Sequence, residues 1–419
     1  MSHSDSLRPD LRALIKNYVV KPTPQSKGAI QEAAGLSPDA SIAAVVDEDY
    51  QAREMVTTSG LYGENPASVV GEVRDLIPAE TSEFTQPFCL TGEAPDALLQ
   101  HYRRPQHSPA VRLYEIARER NAVSYYRRIP LCLVGDKSIA IIPEISGRNY
   151  EAIYFYGGKR SWEQPSIRVE DIIVIHDRFV GINYCHWLLD WFIRAIVLRK
   201  LDPPSTAYVA LPYPPTRFMK ECLSKIGIDE SRLLAAKGHL NFDDSTFATK
   251  RLWASSSSGT DWRHGLHYGA GWAFRELRRV LYKGETRKRS VILQRRDFRR
   301  LVFEDSAFEL LMRNGFEVLY AEDLSTEEQV EIFSGANRVI AAHGAGMANI
   351  AFCPEGAAIL EIFPPMHATP VYWFVSNVAH LHYTCAIGRL SENEKARMPT
   401  DHDIFCSKKI VQDWLDILK

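Results

Sequence analysis

Between residues 290 and 363 the chain alternates short apolar runs with helical patterns, and no other feature limits the fold so strongly. SVILQ (290–294), FEVLY (316–320), RVIAA (338–342) and AAILEIF (357–363) are rich in β-branched and aromatic residues and end in turns. Between them lie FEDSAFELLMRN (303–314), stopped by Gly315, and LSTEEQVEIFSGA, where Ser325 and Glu328 have the spacing of a capping box. Strands joined through helices need crossover connections, so they run parallel with helices on both faces. The pattern predicts a doubly wound α/β domain.

Upstream, SIAIIPEI (138–145), EAIYFYG (151–157), EDIIVIHD (170–177) and AYVALPY (207–213) read as strands of an earlier unit. NYCHWLLDWFIRAIVLRK (183–200) is long, apolar and free of Gly and Pro, and therefore reads as a helix that Pro203 and Pro204 stop. Further helices are expected at about 215–225 and over 261–283. Residues 1–88, broken by Pro22, Pro24, Gly28, Gly35 and Pro38, carry no candidate site. The expected organisation is an extension (1–88), a first α/β domain (89–284), a second (285–385) and a tail with a terminal helix (386–419).

Composition narrows the function classes. Fifty Lys and Arg against 52 Asp and Glu give a net charge of −2, which argues against a nucleic-acid coat. The seven Cys are scattered, with no CxxC, and fit reduced thiols in a cytoplasmic protein. The opening MSHSDSLRPDLRALIK has no apolar signal region, and no window approaches the ~18 apolar residues of a membrane span.

The strongest local motif is RVIAAHGAGMAN. An apolar strand runs into His343, Gly344, Ala345 and Gly346, and a helix is expected over residues 347–352. Ligands of open α/β sheets bind at this edge, where unpaired N–H groups and the helix dipole suit a phosphate. The alternative is a Gly-rich turn with His343 as a packing residue. Arg295 and Arg296 end the first strand on the same edge, and guanidinium forks bind phosphate bidentately. They belong to a stretch, 287–300, with seven Lys or Arg and one Asp, which can equally be a solvated basic surface. Glu361, inside AAILEIF, needs a partner, either a ribose diol or a local ion pair. Asn349 completes the candidate donor-site set.

His186 and Asp190 stand four apart on the 183–200 helix and share a face. Such a pair can act as a general base, although Asp190 also stands four residues before Arg194. No metal site is expected. There is no HExxH; His264 with His267 and His380 with His382 lack partners, and Asp401-His402-Asp403 lies in the tail. No GxSxG elbow or phosphate-binding GxxxxGK[ST] loop occurs.

INYCHWLLDW, SVILQRRDFRR and the block FEVLYAEDLSTEEQVEIFSGANRVIAAHGAGMANIAFCPEGAAILEIFP, in this order, resemble glycosyltransferase family 61. The resemblance implies a GT-B-like fold, with two Rossmann-like domains facing across a cleft. It implies an inverting enzyme using a nucleotide-sugar as co-substrate, with no cofactor. It places the His343–Gly346 turn and Arg295 on the donor diphosphate. Asp190, or alternatively His186, becomes the base. A bacterial member would act on a glycan or lipid-linked saccharide in cell-surface polysaccharide synthesis, with the basic stretch attaching it to the inner membrane face. A non-catalytic binding protein of the same fold is the competing reading.

Overall fold

The structure is a computed structural model. It describes residues 84–102, 106–108, 111–126, 129–134, 138–141, 167–175, 183–235, 246–255, 271–284, 287–394 and 398–419, with strands at 55–57, 72–77 and 80–82. EAIYFYG lies outside the described residues.

The C-terminal sheet has the expected rhythm. Six strands run in the order Phe316–Tyr320, Arg289–Gln294, Ala336–Ala342, Ala358–Phe363, His382–Ile387 and Phe88–Cys89, and every neighbouring pair is parallel. Helices Asp305–Arg313 and Thr326–Ser334 provide crossovers, the second opened by the Ser325–Glu328 capping box. Side chains alternate across the sheet. Val291, Leu293, Val339, Ala341, Ile359 and Phe363 enter one core, while Ile292, Ile340, Leu360 and Ile362 enter another. Burial on both faces is what makes these strands continuous apolar runs rather than alternating ones.

This sheet takes in more chain than the 285–385 boundaries expect. The His382–Ile387 strand crosses residue 385, and Phe88–Cys89 adds an edge strand from far upstream. Residues 84–85 dock on helix Val371–Val378, with Trp373 Nε1 donating to Thr85 O at 3.0 Å and Phe84 edge-on to Trp373. The tail is part of the fold as well. Strands Leu301–Phe303, Asp403–Cys406 and Arg389–Ser391 form a small sheet, and helix Lys408–Ile417 buries Trp414 against Phe316.

The other large sheet is mixed, which departs from a simple Rossmann-like unit. Thr246–Ser255, Ile167–Val174, Tyr208–Leu211 and Leu233–Ala235 are parallel neighbours. Val111–Tyr126, Ile129–Val134 and Ser138–Ile141 extend it as an antiparallel meander, joined by Met55–Thr57 and Glu72–Ile77 from the expected extension. Helix Gly271–Leu281 occupies the described part of the 261–283 expectation. The helical segment from Tyr184 to Leu201 ends at Asp202, just before Pro203, as the sequence predicts.

The two sheets share one hydrophobic core. Trp187, Trp191, Phe192 and Ile196 of the first unit lie in the same cluster as Leu293, Met347, Phe352 and Trp373 of the second. Arg278 reinforces the junction, its Nη1 donating to Ala351 O at 3.1 Å and Cys353 O at 2.9 Å. The 183–201 helix is thereby held against the carboxyl edge of the parallel sheet.

Candidate functional site

The side chain of Asn183 starts that helix by accepting from the backbone N–H of Cys185 (2.9 Å) and His186 (3.4 Å). After Tyr184–His186 the helix widens into a π-helical turn over Trp187–Phe192 and returns to α over Ile193–Leu198. Such turns recur at functional sites because they re-aim side chains within a helix. Here His186 Nδ1 donates to Asp190 Oδ2 at 2.8 Å. Asp190 is wholly buried, whereas 23% of the His186 side chain is exposed. Of the pair, His186 is therefore the member that solvent reaches, with Asp190 behind it on the Nδ1 side. Of the two candidates for the base, the geometry exposes His186 rather than Asp190.

On the facing side, strand Ala336–Ala342 ends in the His343–Gly346 turn. The helix that follows is a 3-10 helix over Ala345–Phe352, capped by Gly344, and its first N–H groups lack intrahelical acceptors. Gly344 is extended (φ 173°), so the torsion would suit any residue. The space would not. A Cβ here would stand 2.7 Å from Arg295 Nη1, because the guanidinium lies directly over the glycine. Tyr372 Oη donates to Gly344 O at 2.6 Å and fixes the turn from below.

Three of the expected donor contacts are placed elsewhere. Asn349 is fully buried, with Nδ2 donating to Gln329 Oε1 (2.7 Å) and Gly346 O (3.0 Å). Its Oδ1 accepts from Tyr184 Oη at 2.9 Å, so it braces the turn against the first unit instead of binding a ligand. Glu361 is also fully buried, in phase with Ile359 and Phe363. Oε1 accepts from His343 Nδ1 (2.6 Å) and Oε2 from Tyr383 Oη (2.5 Å), which leaves neither oxygen turned to a ribose. His343 itself is 8% exposed, packed on Phe363, His367 and Tyr372. Replacing Glu361 with Ala would strand two buried donors, at a cost of about 3–5 kcal/mol. Urea unfolding should show that loss, and an unchanged midpoint would refute the pairing.

Arg296 is the third. Its guanidinium pairs with Asp323 and stacks 3.7 Å from the centre of the Tyr320 ring. Arg300 pairs with Asp403 (2.6 Å) and Arg289 with Glu317 (2.9 Å). Three of the seven basic residues of the 287–300 stretch are thus paired with carboxylates. The sequence does not point to Tyr372 and His367, whose rings pack on His343. These come from a loop and helix after the fourth strand, with no spacing that ties them to His343.

A cavity of about 470 Å³ opens between the units, within the range of small-ligand sites. Asn183, Tyr184 and Arg217 line one side; Arg295, Gly344 and Gly346 line the other. The structure thus brings the start of the 183–190 helix, Arg295 and the glycine turn to one place, while His186 and Asp190 are not among the lining residues. Residues 184–360 match the family model described as Glycosyltransferase 61. Over that stretch the chain is similar to glycosyltransferases of family 61. The match spans His186, Asp190, Arg295 and the turn, and ends one residue before Glu361. A search of curated proteins found no match. Among the described residues no three His, Cys, Asp or Glu side chains converge as a metal-ligand set, and no helix is long and apolar enough to cross a membrane.

Proposed function

We propose that this protein is an inverting glycosyltransferase. It moves a sugar from a nucleotide-sugar, by preference a UDP-sugar, to a hydroxyl of a glycan or lipid-linked saccharide in cell-surface polysaccharide synthesis, acting from the cytoplasmic side. One observation carries the reading: Asn183 and Tyr184, at the start of the helix that goes on to His186 and Asp190, line a cavity whose opposite wall is Arg295 and the glycine turn. A candidate base two residues further along that helix and a candidate diphosphate cradle across the cavity support a GT-B-like division of labour.

In this scheme His186 Nε2 takes the proton of the acceptor hydroxyl as its oxygen attacks C1 of the donor sugar. The bond from C1 to the diphosphate oxygen breaks, and its electron pair stays on that oxygen. Arg295 and the free N–H groups at the start of the 345–352 helix meet the new charge. A single displacement from the far face inverts the anomeric centre. Because guanidinium and backbone dipoles supply the positive charge, the reaction is read as metal-independent.

Calorimetric titration with UDP, GDP and CMP, each with and without EDTA, tests the donor site. Binding of one nucleotide with chelator present is the expected result and names the base. Binding that EDTA abolishes would overturn the metal-independent scheme, and no binding at all would favour a non-catalytic protein of the same fold.

A further inference from the structure

The two-residue strand Phe88–Cys89 pairs with strand His382–Ile387 in a parallel ladder that sets Cys89 opposite Cys385. Register partners on neighbouring strands stand about 4.8 Å apart and point to the same face. That spacing falls within the roughly 4.4–6.8 Å between Cα atoms that a disulfide bridges. Packing agrees with the shared face: Cys89 and Cys385 enter one core, while the next residues, Leu90 and Ala386, turn to the other. Hydrogen bonds fix the register, with Leu90 N–H donating to Cys385 O at 2.9 Å and Ile387 N–H to Thr91 Oγ1 at 2.9 Å. Both cysteines are free thiols. Cys385 is also the register partner of Glu361, whose carboxylate holds His343 at the glycine turn.

The two thiols differ in reach. Cys385 is fully buried, whereas Cys89 is 7% exposed. They differ in acidity as well. Hydrogen bonding from Cys385 holds the Cys89 thiol down to about 6, against the opposing effect of burial. Thr91 Oγ1, 3.4 Å from Cys89 Sγ, acts in the same direction. Cys385 moves up, through that same hydrogen bond and then through burial. Burial also raises Cys185, Cys222, Cys353 and Cys406, which keeps these four thiols protonated and unreactive. An outer nucleophilic sulfur backed by an inner thiol is the arrangement of a redox-sensing pair, in which the second cysteine resolves the oxidised first.

From this register and packing we infer that Cys89 and Cys385 are a redox-active pair, closed by a peroxide into a disulfide that ties the upstream segment 84–91 to the C-terminal sheet beside Glu361. Cys89 Sγ attacks one oxygen of hydrogen peroxide, the O–O bond breaks, and Cys89 becomes a sulfenic acid. Cys385 Sγ then attacks Cys89 Sγ, the S–O bond breaks, and the hydroxyl leaves with the Cys385 proton as water. In balance, two thiols and one peroxide give one disulfide and two waters. The bond closes a loop from residue 89 to residue 385, and a disulfide restricts the unfolded chain more strongly the longer its loop. The pair is independent of what the cavity between the units binds.

The test treats the chain with hydrogen peroxide, blocks the remaining thiols with N-ethylmaleimide in denaturant, and maps peptides by mass spectrometry without reduction. The expected product is one peptide pair joined through Cys89 and Cys385 and reopened by dithiothreitol, with Cys185, Cys222, Cys353 and Cys406 recovered as alkylated thiols. In Cys385→Ala the oxidation should stop at Cys89, as a sulfenic acid that dimedone traps. In Cys89→Ala, Cys385 should remain a thiol. The wild-type map decides the pairing even where a variant fails to fold. Urea unfolding of the oxidised chain should show a higher midpoint, which dithiothreitol returns to the reduced value. Three results would overturn the pair: no oxidation of either cysteine, Cys89 joined to a different cysteine, or sulfinic acid at Cys89 with Cys385 still a thiol. A disulfide that leaves the midpoint unchanged or lowers it would overturn the tie between the segment and the sheet.

Discussion

Replacing His186 with Ala is expected to slow sugar transfer by about 10²–10⁴-fold, the range for loss of a positioned general base, with nucleotide affinity unchanged. The expectation follows from the division within the dyad. His186 is the partly exposed member, and Asp190 lies behind it with an oxygen 2.8 Å from Nδ1. Asp190→Asn retains the shape but allows the other tautomer, so it should also lose turnover while holding nucleotide. Release of the nucleotide product, followed with any accepted donor and acceptor, reads both variants. If Asp190→Asn abolishes transfer while His186→Ala retains wild-type rate, the carboxylate is the base and the orienting role assigned to it is wrong. Stability should separate the two as well, since only Asp190 is wholly buried.

How much of this was legible in the sequence depends on the range over which the signal acts. The four strands from 290 to 363 were legible because each is buried on both faces and bounded by turn residues. Ser325 and Glu328 announced their helix by a local reciprocal hydrogen bond. Phe88–Cys89 was not legible, because an edge strand of two residues has no periodicity, and its partner lies almost 300 residues away. The mixed character of the first sheet was equally hidden, since antiparallel and parallel pairing use the same residue types. The π-turn at 187–192 leaves no pattern that a helix of 3.6 residues per turn would betray. At the site, the motif HGAG located the turn, but not which groups face the cavity. Glu361 was correctly marked as needing a partner; the sequence could not say that His343 and Tyr383 provide it. Arg295 and Arg296 look identical in the string, and only the direction in which each leaves the strand separates the candidate ligand contact from the ion pair with Asp323.

Placing a methyl group on Gly344 should cost donor affinity with little cost to folding. In Gly344→Ala the new Cβ would fall 2.7 Å from Arg295 Nη1, a distance that no real contact tolerates. The backbone does not resist the change, because φ 173° is extended and open to alanine. The guanidinium is the end of a flexible side chain, so it moves and the fold stays. Displacing it removes one charge-assisted contact with phosphate, worth about 1.5–3 kcal/mol or roughly 10–100-fold in affinity. Arg295→Ala should lose about the same amount, because both changes empty the same position. The double variant then decides the matter, since two substitutions acting through one contact do not add. Calorimetry should therefore find Gly344→Ala with Arg295→Ala no weaker than Arg295→Ala alone. Additive losses would mean that the glycine serves the ligand through its own backbone approach, and that the turn, not the arginine above it, dominates donor binding.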